Sequence, residues 1–419
     1  MRIVHLSTSD TLGGGSLAAH AIHRGLISRG IGSRMVVRSK GTQDQAVFLQ
    51  NIGPKRFRDY ASRFFVRFKN KKTYGTGKSL THQPFSYLSG TESRYSFGPE
   101  TLLPADLIQI NWVSDFIDWQ SFFSRRPPVP LVWRIADMSP FTGLCHYSNG
   151  CERFKEKCHH CPQAVDAGVK DISEPSFKLK QELLGRLDDC DLTLICQSEW
   201  MAGLVAASPI LGRFRRYVIH NGVNRDYFFP IEKRLAKQSL GLDLDRPCVL
   251  LYGFSPEPRK GFDDLLAEIR RRQIEKHYFL VLGPKPWSVL QDEGWRTVQS
   301  VHDRRLLRLI YSSCDLMVFP SIQDNCPNAV IESIACGTPV LAFDGTGTEE
   351  IITNSDAGWT TPCRDFGRLV DRILELVDDR EELISRQHKC IPGIKSGFTF
   401  EAMLDQYVGV YRAVLNYAK

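Results

Sequence analysis

The chain has 419 residues, too many for one ordinary hydrophobic core and enough for two domains of roughly 200 residues each. Its 42% hydrophobic and 24% charged residues are an ordinary globular composition. The net charge is +7, and eight basic residues and one acid at positions 55–72 account for all of it, which excludes a general nucleic-acid binder.

Short apolar runs alternate with helix-like segments along the whole chain. Because these runs are apolar throughout, we expect strands that are buried on both faces, as in parallel α/β sheets. The predicted strands span residues 3–7, 35–38, 107–111, 131–135 and 192–196 in the first half, and 249–254, 278–283, 316–321 and 339–344 in the second. The two series predict an α/β fold of two Rossmann-like, doubly wound domains that face each other across a cleft.

The domain boundary is expected near residues 208–224. The sequence therefore predicts an N-terminal domain over residues 1–210 and a C-terminal domain over residues 211–399. The last segment, 400–419, has helical spacing of its apolar residues, and we expect it to pack back on the N-terminal domain. Ligands of doubly wound folds bind at the carboxyl ends of strands where the strand order reverses, so the site is expected there.

A glycine-rich turn follows the first predicted strand. Gly13, Gly14 and Gly15 precede a predicted helix over residues 16–28, and their lack of side chains would let the backbone approach a ligand closely. The alternative is a tight turn that is capped by Ser16 and binds nothing.

Residues 55–72 form a basic segment with the spacing of an amphipathic helix. One face carries aromatic side chains and the other carries cations: Phe57, Tyr60, Phe64, Phe65 and Phe68 on the first, Arg56, Arg58, Arg63, Arg67 and Lys69 on the second. Such a helix suits the surface of an anionic membrane. Alternatively, its aromatic face packs on the N-terminal domain.

The chain has neither a membrane-spanning run nor a signal-peptide pattern. No apolar run reaches the ~18 to 20 residues that a membrane span needs. The first residues also lack the long apolar region of a signal peptide. We therefore expect a cytoplasmic protein, which the basic segment would hold peripherally on the inner face of the membrane.

Four cysteines lie close together in the segment 145–161: Cys145, Cys151, Cys158 and Cys161. The two-residue gap between Cys158 and Cys161 is common in zinc sites, whereas the other gaps are irregular. We predict a structural zinc site, with reduced buried thiols and a redox-formed disulfide as the alternatives.

Two carboxylates flank a predicted helix start in the second half. Asp324 follows a predicted strand and precedes the residues Asn325, Cys326 and Pro327, which are typical of a loop, and Glu332 lies inside the helix that follows. The free N–H groups and positive dipole end of a helix suit phosphate or sugar oxygens, and carboxylates accept hydrogen bonds from sugar hydroxyls. The alternative is that Asp324 only caps the helix and that Glu332 is a solvated surface residue.

Two cations precede another helix in the same domain. Arg259 and Lys260 follow the strand at 249–254 and stand before a helix that starts at about Phe262. At a helix start, two cations would stabilise a leaving group that carries negative charge. An exposed basic turn is the alternative.

Four motifs follow one another along the second half of the chain. They are Asn221-Gly222-Val223, Arg259-Lys260-Gly261, the stretch from Asp324 to Glu332, and Cys336-Gly337-Thr338-Pro339-Val340. This order resembles the retaining GT-B glycosyltransferases of family 4, the glycosyl transferases of group 1. The glycine turn and the segment DMSPFTGLCHYSNGCERF are similar to exopolysaccharide and colanic-acid-type members.

The resemblance implies a GT-B fold and a sugar transfer in surface polysaccharide biosynthesis. The donor would be a nucleotide-sugar on the C-terminal domain, and the acceptor would be a glycan, lipid-linked, on the N-terminal domain. The implied partners include no nucleic acid, and no catalytic metal is required.

The resemblance also implies a role for each residue in the motifs. Asp324 and the backbone of Asn325, Cys326 and Pro327 would hold the donor sugar, Glu332 the ribose hydroxyls, and Lys260 the diphosphate. Gly14 and Gly15 would approach the donor, and Asp137 would lie at the reacting sugar. The leaving phosphate would take the proton of the acceptor.

The sequence departs from the family at two positions. The family has an Arg after the glycine that ends the strand, where this chain has Phe254 after Gly253, and Arg259 is the expected substitute. The family also has a His directly before Asp137, and this chain has Ala136 at that position. Asp137 and His146 are the expected replacements for the contact that the His makes with the sugar. This departure supports an alternative function, a non-catalytic nucleotide-sugar-binding or scaffold protein with the same fold.

Overall fold

The computed structural model describes residues 1–50, 93, 97–125, 127–166, 171–253, 257–275, 279–283, 295–299, 301 and 303–417. The predicted basic helix at 55–72 lies outside these residues. The chain divides into two compact units. The N-terminal unit comprises Met1–Gln197, Met201–Val218 and Gln406–Lys419, and the C-terminal unit comprises Ser198–Trp200 and Ile219–Asp405.

The N-terminal unit contains a parallel seven-stranded sheet within the described ranges. Its strands are β1 Arg2–Ser9, β2 Gly32–Ser39, β3 Val47–Leu49, β4 Leu107–Ile110, β5 Leu131–Ile135, β6 Leu192–Cys196 and β7 Arg215–Val218. They are arranged in the order β3-β2-β1-β4-β5-β6-β7. The order reverses between β1 and β4, which pair in parallel, so a ligand site is expected at the carboxyl ends of these two strands.

Helices lie in most of the described connections between the strands of this unit, as crossovers between parallel strands require. They are α1 Gly13–Ser28, α2 Trp119–Phe123, α3 Pro162–Asp166, α4 Ser173–Gly185 and α5 Glu199–Ala206, with short 3-10 helices at Pro99–Leu102, Ser139–Phe141 and Arg153–Lys155.

The C-terminal unit contains a parallel six-stranded sheet, counted over the described part of the chain. Its strands are β8 Val249–Tyr252, β9 Phe279–Gly283, β10 Arg296–Gln299, β11 Leu316–Phe319, β12 Val340–Phe343 and β13 Gly358–Thr361. The order β10-β9-β8-β11-β12-β13 reverses between β8 and β11. The doubly wound α/β architecture predicted for both halves is therefore confirmed.

Eight helices are described downstream of β7, over residues 233–417. They are α6 Lys233–Ser239, α7 Phe262–Arg271, α8 Arg304–Ser313, α9 Asn328–Ala335, α10 Gly347–Ser355, α11 Phe366–Asp378, α12 Arg380–Gly397 and α13 Phe400–Tyr417, with a 3-10 helix at Pro258–Lys260. No helix within the described ranges has the length and apolar character needed to cross a membrane.

The apolar strands bury side chains on both faces of the C-terminal sheet. Leu250 belongs to a core cluster on one face, and Val249 and Leu251 belong to a cluster on the other. This explains why the strands have no polar alternation, since neither face of the sheet meets water.

The helix α13 ends in the N-terminal unit. From Gln406 onward its residues belong to that unit, where the Tyr411 hydroxyl donates a hydrogen bond to the Gln109 side chain on β4. Tyr411 is fully buried there.

Candidate active site

The loops that follow β8 and β11 meet at the reversal of the C-terminal sheet. The Ile322 amide donates to the Arg259 carbonyl over 2.7 Å, which ties the two loops together. Gly261 permits this approach because its φ is +62° and because a Cβ there would clash with the carbonyl oxygen of Pro320.

Lys260 and Asp324 are in direct contact. The Lys260 ammonium donates to the Asp324 carboxylate, and the Arg259 guanidinium lies 3.7 Å from the same oxygen. Burial tends to raise the pKa of Asp324, but the charges of Lys260 and Arg259 outweigh it and leave the pKa below its ordinary value. Burial also lowers the pKa of Lys260, and Asp324 opposes that change. The two residues, predicted from separate motifs, therefore form one ion pair, in which Asp324 is buried and Lys260 is partly buried.

Arg259 is engaged by the loops themselves. Its Nε lies 2.7 Å from a Glu257 carboxylate oxygen, and its Nη1 donates to the Gln323 carbonyl over 2.9 Å. These contacts give Arg259 a role in holding the loops together. A contact of Arg259 with a diphosphate is a prediction from the sequence.

Glu332 lies on α9 beside two tyrosines that the sequence analysis did not identify. The Tyr311 hydroxyl is 3.3 Å from its Oε2. Burial raises the pKa of Glu332 to about 7, against opposing effects of Tyr311 and Arg304. The charges of Glu332 and Asp324 contribute to the raised pKa of Tyr252, which indicates that all three groups share one region. Glu332 is therefore not the solvated surface residue that the sequence left open as an alternative.

The loop before α9 is held by side-chain bonds. The Asn221 side-chain amide donates to the Cys326 carbonyl over 2.8 Å and to the Asn328 side chain over 3.0 Å. The Asn325 side chain accepts from the Ser198 hydroxyl over 2.6 Å. The helix α9 begins at Asn328 after Pro327, as predicted. These bonds fix the backbone of residues 325–327, and they explain the Asn of the Asn-Gly-Val motif.

In the N-terminal unit, the glycine turn is part of a helix. The helix α1 begins at Gly13, so Gly14 and Gly15 lie in its first turn, and the helix start makes no side-chain cap bond. The expected start at residue 16 and the alternative of a Ser16 cap are therefore wrong, because Ser16 is buried inside the helix.

Asp137 pairs with His146 at the carboxyl end of β5. The His146 Nδ1 is 2.7 Å from Asp137 Oδ2, and the Ser139 amide donates to Oδ1 over 2.8 Å. Burial tends to raise the pKa of Asp137, but His146 and Ser139 outweigh it and lower the pKa. A Cβ on Gly15 would lie 3.9 Å from the Cβ of Ala136, which places the glycine turn beside the position that departs from the family.

The four predicted zinc ligands line one pocket. The Gly143 amide donates to Cys158 Sγ over 3.2 Å. Burial raises the pKa of Cys145 to about 12 and that of Cys158 to about 11. Over the described ranges, no group of three or more His, Cys, Asp or Glu side chains is arranged so that it could hold a metal ion. A zinc ion at these cysteines therefore stays a prediction from the sequence.

Comparisons with known proteins agree with this geometry. Residues 246–379 match the family model of glycosyl transferases group 1. The chain is 24% identical to the protein named as colanic acid biosynthesis glycosyl transferase WcaC of Escherichia coli K12, over 69% of this chain and 70% of that protein. Two further relatives match this chain over shorter stretches, which cover 64% and 53% of their own lengths.

Solved structures share the fold over the whole chain. Sucrose-phosphate synthase of Thermosynechococcus elongatus superposes with a TM-score of 0.68 at 17% identity, covering 100% of both chains. HepE of Anabaena, solved with UDP and glucose, gives a TM-score of 0.65 at 15% identity, covering 98% of this chain and 99% of that one. The predicted GT-B fold is confirmed, and the family match supports the predicted enzyme class, a glycosyltransferase.

Proposed function

We propose that the protein is a retaining glycosyltransferase of family 4 that transfers a sugar from a nucleotide-sugar donor to a glycan acceptor. The observation that carries this proposal is the contact of Lys260 with Asp324 where the strand order reverses, inside the residues that match the family model. Glu332 lies on the helix that follows Asp324. Ligands of doubly wound sheets bind at that place.

The residues of this site suit a donor that leaves as a diphosphate. Lys260 supplies a positive charge beside the loop that leads into α9, and the N-terminus of α9 receives no bond from a side-chain cap. A helix start carries a partial positive charge that suits a phosphate. A partly buried cation and a helix start stabilise the negative charge that develops on a leaving phosphate. Asp324 and Glu332 accept hydrogen bonds from hydroxyl groups, and the leaving phosphate takes the proton of the acceptor.

The acceptor is proposed to be a lipid-linked glycan of surface polysaccharide biosynthesis. One relative is named for colanic acid biosynthesis, and one solved structure of the same fold is titled as a glycosyltransferase of lipopolysaccharide biosynthesis. The basic segment 55–72 would bring the enzyme to an anionic membrane, where such an acceptor lies. Sedimentation with anionic liposomes tests this: wild type should pellet at low salt, and a variant with Arg63→Glu, Arg67→Glu and Lys69→Glu should not.

The donor is identified by a thermal-shift screen with UDP, GDP and their sugars. A nucleotide that binds only the folded state raises the melting temperature.

Ala136, in place of the family histidine, favours the second candidate function, a nucleotide-sugar binder without activity. Slow release of free nucleotide from the bound donor distinguishes the two, because an enzyme hydrolyses its donor slowly and a pure binder leaves it intact.

A further inference from the structure

Two tyrosines are linked to the Glu332 side chain from neighbouring elements of the C-terminal unit. Tyr311 lies on α8, and its hydroxyl donates to Glu332 Oε2 over 3.3 Å. Tyr252 is the last residue of β8, at the carboxyl end of a strand where the sheet order reverses. Burial and the charges of Glu332 and Asp324 raise the pKa of Tyr252, and a hydrogen bond with Tyr311 opposes this rise. The two hydroxyls and the Glu332 carboxylate therefore form one hydrogen-bonded row.

The Tyr311 hydroxyl is fixed in place by the packing of its residue. Tyr311 is fully buried, and its ring centroid lies 6.3 Å from that of the buried Phe228. Its backbone carbonyl accepts from the Thr338 hydroxyl over 2.6 Å. Burial and the charge of Glu332 raise the pKa of Tyr311 well above its ordinary value, so the hydroxyl keeps its proton. Toward an ionised Glu332 this hydroxyl can therefore only donate.

The bond from Tyr311 leaves most of the Glu332 carboxylate to other donors. A carboxylate has about four acceptor positions, and Tyr311 occupies one of them. Glu332 is only half-buried. A ribose offers two neighbouring hydroxyls as donors, and a side chain that is already held in one orientation loses less rotational entropy when it binds them.

We propose that Tyr311, supported by Tyr252, is a positioning residue that holds the Glu332 carboxylate for the ribose hydroxyls of the nucleotide. This row of groups makes the C-terminal unit prefer ribonucleotides over deoxyribonucleotides. The two tyrosines act through Glu332 and do not touch the nucleotide. The proposal rests on the proposed function, because it concerns the donor site of that transfer.

Binding of ribonucleotides and their 2′-deoxy forms to the full chain tests the proposal. The probes are UDP, GDP, 2′-deoxy-UDP and 2′-deoxy-GDP, measured by calorimetry. Wild type should bind at least one ribonucleotide about tenfold or more tightly than its deoxy form. Tyr311→Phe should reduce this affinity ratio about threefold or more. An unchanged ratio in Tyr311→Phe, or an equal loss of affinity for both forms, overturns the proposal.

The same ratio should depend on pH through Glu332. Burial raises the pKa of Glu332 to about 7, against opposing effects of Tyr311 and Arg304. Burial and the charge of Glu332 raise the pKa values of Tyr252 and Cys336, so these neighbours stay uncharged. A protonated carboxyl accepts fewer hydrogen bonds, so the ratio should fall as the pH drops below about 7. The diphosphate titrates alike in both forms and cancels in the ratio.

Tyr311→Phe should move this pH dependence. Without the bond from Tyr311 the pKa of Glu332 is higher, so the fall should begin at a higher pH, by roughly one pH unit. A loss of packing alone would leave the midpoint where it is in wild type. The same midpoint in both proteins therefore contradicts the positioning role.

Further variants show whether Tyr311 acts through Glu332. In a Glu332→Ala background, Tyr311→Phe should not change the ratio further, and a further loss would refute the proposal. Tyr252→Phe should lower the ratio about twofold or more, and if Tyr311→Phe does not fold, an unchanged ratio in Tyr252→Phe overturns the proposal. Tyr411→Phe is the matched control, because Tyr411 is fully buried and its hydroxyl bonds to Gln109 in the N-terminal unit. Its ratio should equal that of wild type.

The wild-type measurements separate this proposal from the proposed function. Nucleotide binding without a preference for the ribose form refutes the row of Tyr252, Tyr311 and Glu332 alone. Absence of binding of any of the four nucleotides refutes the proposed function as well.

Discussion

Replacing Glu332 by glutamine changes how the stability of the C-terminal unit depends on pH. Burial beside Tyr311 raises the pKa of Glu332 from 4.5 to about 7. The folded state therefore holds this proton more tightly than the unfolded state does. The stabilisation is fully present below pH 4.5 and is lost as the pH rises from 4.5 to 7. Glutamine does not titrate, so the variant keeps its stability over this range.

The size of the effect follows from the pKa. A rise of about 2.5 in pKa at 1.4 kcal/mol each is about 3.5 kcal/mol. Relative to wild type, Glu332→Gln should therefore gain about 3.5 kcal/mol of unfolding free energy between pH 4.5 and pH 8. For a domain of about 200 residues this is a melting-temperature difference of roughly 7 to 14 °C.

Scanning calorimetry of both proteins at several pH values measures the difference. The control is Glu381→Gln, at an exposed residue on α12, for which the difference from wild type should stay constant with pH. If the melting curves of Glu332→Gln and wild type shift in parallel from pH 4.5 to 8, Glu332 is not a buried, readily protonated carboxyl, and the reasoning about this site is refuted.

Three further predictions concern both units. Burial lowers the pKa of His23 from 6.5 to about 4, so about 3.5 kcal/mol of unfolding free energy should be lost as the pH falls from 6.5 to 4. Thermal unfolding of His23→Gln should show a smaller loss over this range. Gly261→Ala should destabilise the protein by about 1 to 3 kcal/mol, because its φ is +62° and a Cβ would meet the Pro320 carbonyl, whereas Gly397→Ala, with no atom within 4 Å of the new Cβ, should not. Metal analysis of protein purified without added zinc should find about one zinc per chain, and a metal-free, stable and active protein would rule out zinc at Cys145, Cys151, Cys158 and Cys161.

The sequence predicted the central strands and missed the edge strands. β5 and β6 were predicted with the bounds that they have in the structure, because a strand buried on both faces is a continuous apolar run. The strands that were missed, β3, β7, β10 and β13, are each at the edge of a sheet. None of the four residues of β7 is buried, and two of them are arginines, so no apolar run indicates a strand there.

The site was predictable only where it lies within one stretch of chain. Asp324 before α9 and Glu332 inside it follow from the local loop-helix pattern. The contact between Lys260 and Asp324 joins loops that are far apart in the sequence, and the spacing of residues does not indicate it. Tyr311 on α8 bonds to Glu332, and Tyr252 on β8 lies near enough for the charge of Glu332 to raise its pKa, so only the packed fold brings these groups together.

Calorimetric titration of the nucleotide-sugar identified by the screen tests the central claim most directly. Lys260→Ala and Glu332→Ala should each weaken binding by about 1.5 to 3 kcal/mol, the contribution of one hydrogen bond to a charged group, with the fold intact. The controls are Lys389→Ala, an exposed lysine on α12, and Glu381→Ala, which should bind like wild type. Unchanged donor affinity in both site variants would contradict the assignment of the donor to this site.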